Sequence, residues 1–253
     1  MALTAISAPK EIMLAKSSEM MYYHFGGFYM KKPVFYTEIA YLIGTFLLAM
    51  GTAMVVFGNF GISMVVAPAY ILHLKLSAIW SWFTFGVAEY VLQGAVLLAI
   101  WVFLKGKPAT CLLSFGLTLV YGVLLDGSLW LLGMLEGVLW LRILIYLLGV
   151  LFCTVAISFL FRSYLPPAAY ELMVLALQRR FGGSVSRWKT TYDCVSVLVA
   201  VTLSFVLLGA LEGVGVGTVI CALIYGILIA FFGKLWDRLW VFEDRFSFRN
   251  YLQ

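Results

Sequence analysis

Six long apolar runs, at about residues 37–57, 79–104, 108–133, 141–162, 188–211 and 214–234, take up most of the chain. Each is long enough to cross a hydrocarbon core as a helix, which needs about 20 residues. The runs are continuous and joined by short charged loops, whereas barrel strands alternate apolar and polar residues over short segments. With 64% hydrophobic and 11% charged residues and a mean hydropathy of +1.02, the chain lacks the polar surface to wrap such runs in a water-soluble domain. The expected fold is all-α and polytopic: six transmembrane helices in one membrane domain over about 34–234.

Charge orients this bundle. Of the seventeen Lys and Arg residues, only Lys75 and Arg142 lie in one alternate set of loops. The other set and the two chain ends hold the remaining fifteen, among them Lys105 and Lys107, Arg179 and Arg180, and Lys234 and Arg238. By the positive-inside rule both termini are cytoplasmic, which requires an even helix count. The net charge of +5 is spread between helices and not gathered into a tail or patch, so no nucleic-acid partner is expected. The segment 1–33 contains "APKEIMLAKSSEM", too charged for the apolar core of a signal peptide, and is expected to be a cytoplasmic lead-in; residues 235–253 are expected to be a cytoplasmic tail. The four cysteines, Cys111, Cys153, Cys194 and Cys221, show no C-x-x-C spacing and are read as small buried apolar residues.

Displaced along itself by about 100 residues, the chain matches "APAYILHL" with "PPAAYELMVL" and "LVYGVLL" with "LIYGILI", a spacing that suggests an internal repeat. The offset that superposes Tyr121-Gly122 on Tyr225-Gly226 also brings Glu89 onto Asp193. Three spans per half, over about 37–133 and 141–234, make the second half enter the membrane from the opposite side, an inverted repeat of the kind secondary transporters use. Between the first two spans of each half, Pro68 opens "PAYILHLKL" and Pro167 opens "PAAYELMVLALQRRF", the latter closed by Gly182-Gly183. Pro at the start and Gly past the end mark short helices, too short to span, lying at the interface or dipping in and returning. Their N-terminal ends are expected to point toward a central cavity and to favour an anion there. In "EGVGVGTV", no Lys-Ser or Lys-Thr follows the glycines as a phosphate-binding loop requires; Gly213 and Gly217 are read as a close helix contact.

Few polar groups interrupt the runs. Glu89 lies about ten residues into the second run, about 15 Å along a helix, with Gln93 one turn on. An acid at that depth is costly and faces a bundle interior or a water-filled cavity, where it carries protons, pairs with cations or joins helices through hydrogen bonds. Asp193 begins a small or polar stripe with Ser196, Ala200 and Ser204 at helical spacing, and can alternatively act as an interfacial cap beside Arg187 and Lys189. Arg142 is the expected ionic partner of Asp126 or of Glu136. The repeated tyrosines Tyr70, Tyr121, Tyr170 and Tyr225 offer hydroxyls and flat faces to a ligand, while Tyr22, Tyr23, Tyr36 and Tyr251 suit an aromatic belt at the membrane surface.

The stretches "LAMGTAMVVFGNFGISMVVAPAYIL", "FGVAEYVLQG", "YLPPAAYELM", "SVSRWKTTYD" and "GVGTVICALIYG" occur in the order that characterises the YczE/YyaS/YitT group of bacterial membrane proteins, and the chain resembles its YczE-like branch from about Ile39 to Phe232. The resemblance implies a polytopic inner-membrane protein without an assigned biochemical activity. Two departures are visible. Relatives tend to read Gly-x-Pro followed by an acid where this chain has Leu-Pro-Pro with Tyr170-Glu171, and the soluble C-terminal domain of YitT-type members is not expected here.

An enzyme is not expected. Asp126 and Asp193 lack the Gly-x-Gly-Asp context of intramembrane aspartyl proteases, no H-E-x-x-H or G-x-S-x-G occurs, and His24 and His73 are the only histidines. No ATP-binding or metal-ligand motif is visible, so no cofactor is expected. The expected function is secondary transport of a small polar molecule, with proton coupling through Glu89; the alternative is a non-transporting receptor, assembly factor or scaffold. Candidate ligand-binding residues are Glu89, Gln93, Asp193, Tyr70, Tyr170, Glu171, Tyr121, Tyr225 and Asp126. A cavity lined by the acids favours passage of a solute, and acids packed on one another without a cavity favour a scaffold.

Overall fold

A computed structural model of the protein describes residues 22–25 and 28–245, so most of the expected lead-in, the last part of the tail and Tyr251 lie outside the described residues. Eight helices follow one another: α1 (Thr37–Gly58), α2 (Ala67–Ser77), α3 (Phe85–Phe103), α4 (Pro108–Leu132), α5 (Leu139–Leu160), α6 (Ala169–Phe181), α7 (Val185–Leu208) and α8 (Val216–Leu239). All but α2 and α6 are long and apolar enough to span a membrane. Leu42, Phe103, Trp140 and Leu223 are each more than two-thirds exposed on the outer surface. Apolar exposure on this scale suits a lipid environment and not water, and the chain is a multi-pass membrane protein.

Local chemistry sets the helix ends. α3 begins six residues later than its apolar run because Trp80 to Thr84 close successive turns, Phe83 N–H bonding Trp80 O at 2.9 Å and Thr84 N–H bonding Trp82 O at 2.9 Å. Thr84 then caps the helix through its side chain, accepting from Val87 N–H. Pro68 sits in the first turn of α2 as expected. Pro167 precedes α6 without opening it: Ala168 is extended, at ψ 159°, and the Pro167 carbonyl accepts from Ser114 Oγ at 2.6 Å. Gly182 closes α6 at φ 73°, a conformation in which glycine carries no side-chain penalty. At the other end of the domain, α8 continues past the expected stop at 234 to Leu239.

Two antiparallel strands, β1 (Tyr22–Phe25) and β2 (Phe28–Lys31), and a parallel pair, β3 (Val34–Tyr36) and β4 (Val241–Glu243), add small non-helical elements. The parallel pair ties the entry to α1 to the exit from α8. Around it, Arg162 bridges Asp237 at 2.7 Å, Trp236 stacks on Phe159 at 4.9 Å and donates to Ser158 Oγ at 2.7 Å.

The centre of the bundle is the crossing of α1 with α5. A side chain at Gly51 would stand 2.9 Å from the Cys153 backbone nitrogen, and one at Gly149 would stand 2.8 Å from Gly51 O, so the two backbones meet through glycine. Close approach through small residues is the usual basis of helix association in lipid. Gly213 and Gly217 do not form the expected helix contact. Gly213 lies in the loop before α8 at φ +74°, and Gly217 donates its N–H to Phe60 O at 2.7 Å, joining the first turn of α8 to the loop after α1.

Around this crossing α4 packs on α1 and α8 on α5, while α2 packs on α3 and α7, and α6 on α7 and α3. Exchanging the first four helices for the last four maps each of these contacts onto another of the set. Two contacts lack such a counterpart among the described residues: α3 packs along α4, whereas α7 and α8 stand apart beyond the turn that joins them, and α4 touches α6, whereas α8 does not pack on α2 in the same way.

Candidate functional site

The face of α3 toward the bundle carries Phe85, Ala88, Glu89, Gln93, Leu97 and Ile100, all buried, at the three- and four-residue spacing of one helical stripe. Because α3 starts at Phe85, Glu89 lies in its second turn, about 6 Å from the helix start and not the 15 Å expected from the run. Its interior position comes from α6, whose N-terminal turn reaches it from the other side. Tyr170 donates its hydroxyl to Glu89 Oε2 at 2.9 Å, and Gln93 donates Nε2 to the same oxygen at 2.7 Å. Glu89 is 0% exposed, and its Oε1 has no hydrogen-bond partner among the described residues. An unpaired polar atom in such a place is costly unless something else visits it.

Gln93 links this carboxylate to two more elements. Its Oε1 accepts from Thr118 Oγ1 at 2.8 Å and from the Ala169 backbone N–H at 3.4 Å. These groups border a small chamber of about 50 Å³, room for one or two waters, whose wall includes Thr52, Gln93, Thr118, Tyr121, Tyr170 and Tyr225. The chain entering α2 (Ser63, Val65 and Val66) and the start of α6 (Ala168, Tyr170 and Glu171) both reach this chamber, the arrangement expected of inward-pointing short helices. An anion is not what the α6 end favours. The Ala169 N–H is taken by Gln93, the Glu171 carboxylate accepts from its own backbone N–H, and the charged groups nearest the chamber are two acids.

A second cavity of about 400 Å³ adjoins the chamber, sharing Ser63, Val65, Ile157, Glu171 and Tyr225 with it. It occupies the gap between α7, which contributes Lys189, Thr190 and Asp193, and α8, which contributes Cys221, Tyr225, Gly226 and Ile229. Lys189 bridges Asp193 at 2.8 Å. Burial pushes the Glu171 carboxyl up, and the Lys189 charge pulls it the other way. The Tyr225 hydroxyl lies beside the Cys153 and Cys221 thiols, with no oxygen or nitrogen partner among the described residues.

Seven of the nine candidates therefore gather in one region, with Glu89 behind Gln93 and Tyr170 and not on the wall itself. Tyr70 and Asp126 lie elsewhere. Tyr70 borders a separate pocket with Asn59 and Glu212. Asp126 is not paired with Arg142: its Oδ2 accepts from Thr84 Oγ1 at 2.6 Å and its Oδ1 from Gly86 N–H at 2.8 Å, satisfying the start of α3. The expected stripe on α7 is buried at Ser196, Ala200 and Ser204, and Ser204 closes the far end of that helix by accepting from Glu212 N–H at 2.7 Å. Cys194, expected inside, is exposed. Thr52 and Thr118 were not foreseen. The signal for Thr52 was present, since Thr45 and Thr52 repeat at seven residues inside an apolar run and both line the chamber.

No curated protein and no solved structure matches the chain. A family model described as "Family of unknown function (DUF6198)" matches residues 35–234, which takes in every residue of the chamber and the adjoining cavity.

Proposed function

We propose, for a chain that belongs to DUF6198, a family of unknown function, that it is a secondary transporter of a small polar molecule. The observation that carries this reading is that the cavity in the gap between α7 and α8 adjoins, across Glu171 and Tyr225, an inner chamber whose wall is held by the Glu89 hydrogen bonds. A scaffold has no use for a cavity there, and its acids would pack on one another. Glu89 and Asp193 instead keep separate partners, Gln93 and Tyr170 for the first and Lys189 for the second. Two acids near the chamber favour a cationic or neutral hydrogen-bonding solute. The coupling group is Glu89, which takes up and releases a proton as the solute engages Gln93 and Tyr170.

The exchange of helix contacts between the halves supports an inverted repeat, and the resemblance to the YczE-like branch is the finer family reading. The charge of the loops supports cytoplasmic termini, and the YczE-like resemblance implies a bacterial inner membrane. The path then opens inward, and the loops at 59–62 and 211–217, joined by Ile62 N–H to Gly213 O at 2.9 Å, close it on the outside. A cysteine replacing Glu136 is expected to be labelled from outside intact cells; labelling from the cytoplasm alone would reverse the orientation. The function is tested by loading proteoliposomes with the full chain and presenting a metabolite mixture with and without a pH gradient. Accumulation of one solute class above empty liposomes is expected, and none under either condition would leave the receptor or scaffold reading.

A further inference from the structure

A pocket of about 290 Å³ on the same side of the bundle as β3 and β4 is lined by Lys105 and Lys107 from the turn between α3 and α4, by Arg179 and Arg180 from the last turn of α6, and by an apolar floor that includes Leu104 and Leu172. We infer that this pocket holds the phosphate headgroup of an anionic phospholipid, separately from the solute path.

Four cations from two elements converge on one pocket whose lining includes no carboxylate. For Lys105, Arg179 and Arg180 no ion pair occurs among the described residues. Helix electrostatics account for only half of this charge. Arg179 and Arg180 sit at a helix C-terminus, where the dipole welcomes a cation, but Lys107 is the N-cap of α4 and Lys105 is close to the same positive helix end, where the dipole opposes one. Lys105 also occupies the left-handed region at φ 53°, a conformation uncommon for a residue with a side chain. An anion in the pocket relieves the repulsion at Lys105.

The surroundings select a lipid over a free ion. Phe103, 76% exposed, and Leu112, 73% exposed, flank the turn on its membrane side and give acyl chains a surface directly below the cations. Basic pockets between spans on this side of a bilayer are suited to anionic headgroups.

The test is native mass spectrometry of the detergent-purified full chain, titrated with phosphatidylglycerol, phosphatidylcholine or inorganic phosphate. Wild type is expected to retain phosphatidylglycerol in preference to phosphatidylcholine. The double variant Lys105→Gln/Arg179→Gln should bind it about 25-fold more weakly, at about fivefold per removed charge. Lys75→Gln, on the opposite face, should bind as wild type does. Both substituted groups are exposed, and an unchanged melting temperature without lipid checks that the fold is kept; if the double variant melts early, Lys105→Gln alone is expected to show about a fivefold loss. Equal retention of both lipids, equal retention by wild type and variant, or competition by inorganic phosphate at matching concentration would overturn the assignment to a lipid.

Discussion

The two helix pairs that exchange places in the pattern of helix contacts, α3 with α4 and α7 with α8, differ in one feature: the first is closed and the second is open. Where α3 meets α4, Tyr90 lies against Gly122 and donates its hydroxyl to Leu119 O at 3.0 Å, while Asp126 accepts from Thr84 and Gly86. In the repeat register Tyr90 corresponds to Cys194 and Asp126 to Ala230. Neither replacement can form those bonds, and the gap left between α7 and α8 is the 400 Å³ cavity. The openness of the bundle on one side is thus written in the sequence difference between its halves. The acids follow the same division: Glu89 is sealed behind Tyr170, whereas Asp193 lies in the open gap with Lys189.

The largest effect that can separate the two acids is on coupling. Glu89→Gln keeps an acceptor for Tyr170 but cannot change charge, so uptake driven by a pH gradient should vanish in proteoliposomes, a loss of about 100-fold or more, with the protein still folded. Asp193→Asn removes a partly buried ion pair at the cavity but keeps a hydrogen-bonding side chain there, and should lower uptake only severalfold. Equal losses from both substitutions would show that the registered acids do one job.

Next in size is the lock itself. Asp126→Ala removes the acceptor of two hydrogen bonds at the start of α3, one from a cap residue and one from a backbone N–H, and should cost about 2–4 kcal/mol. A lowered melting temperature in detergent is the expected readout. Ala230→Gly, at the equivalent position of the open pair, should cost about 1 kcal/mol, the ordinary helix penalty of glycine relative to alanine.

Much of this was legible in the sequence. Apolar length gave the six spans, and the Pro-led segments gave both short helices, because hydrophobicity and backbone restriction act locally. Glu89 and Gln93 were legible because a polar group inside an apolar run has few explanations, and Tyr121, Tyr170 and Tyr225 because they recur at the spacing of the internal match. The partner of Asp126 was not, since Arg142 and Thr84 are both plausible until the turn at Trp80 to Thr84 sets where α3 begins. The depth of Glu89 was misjudged for the same reason. Lys105, Lys107, Arg179 and Arg180 are ordinary positive-inside residues in one dimension, and only the return of α6 toward the α3–α4 turn makes them one pocket.

The smallest expected effects come from the repeated glycines, Gly122 and Gly226. A methyl group on Gly122 would overlap the Tyr90 ring, while nothing lies within 4 Å of the corresponding position on Gly226. Gly122→Ala must push Tyr90 away and weaken its bond to Leu119, a cost of about 1–3 kcal/mol for overpacking. Gly226→Ala meets no neighbour and gains helix propensity, about 0.8–1.0 kcal/mol for glycine to alanine in a helix interior, so it should leave the protein slightly more stable in this open state. The same methyl group narrows the space through which α7 and α8 would approach each other if the second pair closes as the first does. Uptake should therefore fall about two- to threefold while the melting temperature rises by a degree or two. A rise in stability with unchanged uptake would mean that the α7–α8 gap is a fixed vestibule and not the moving part of the cycle.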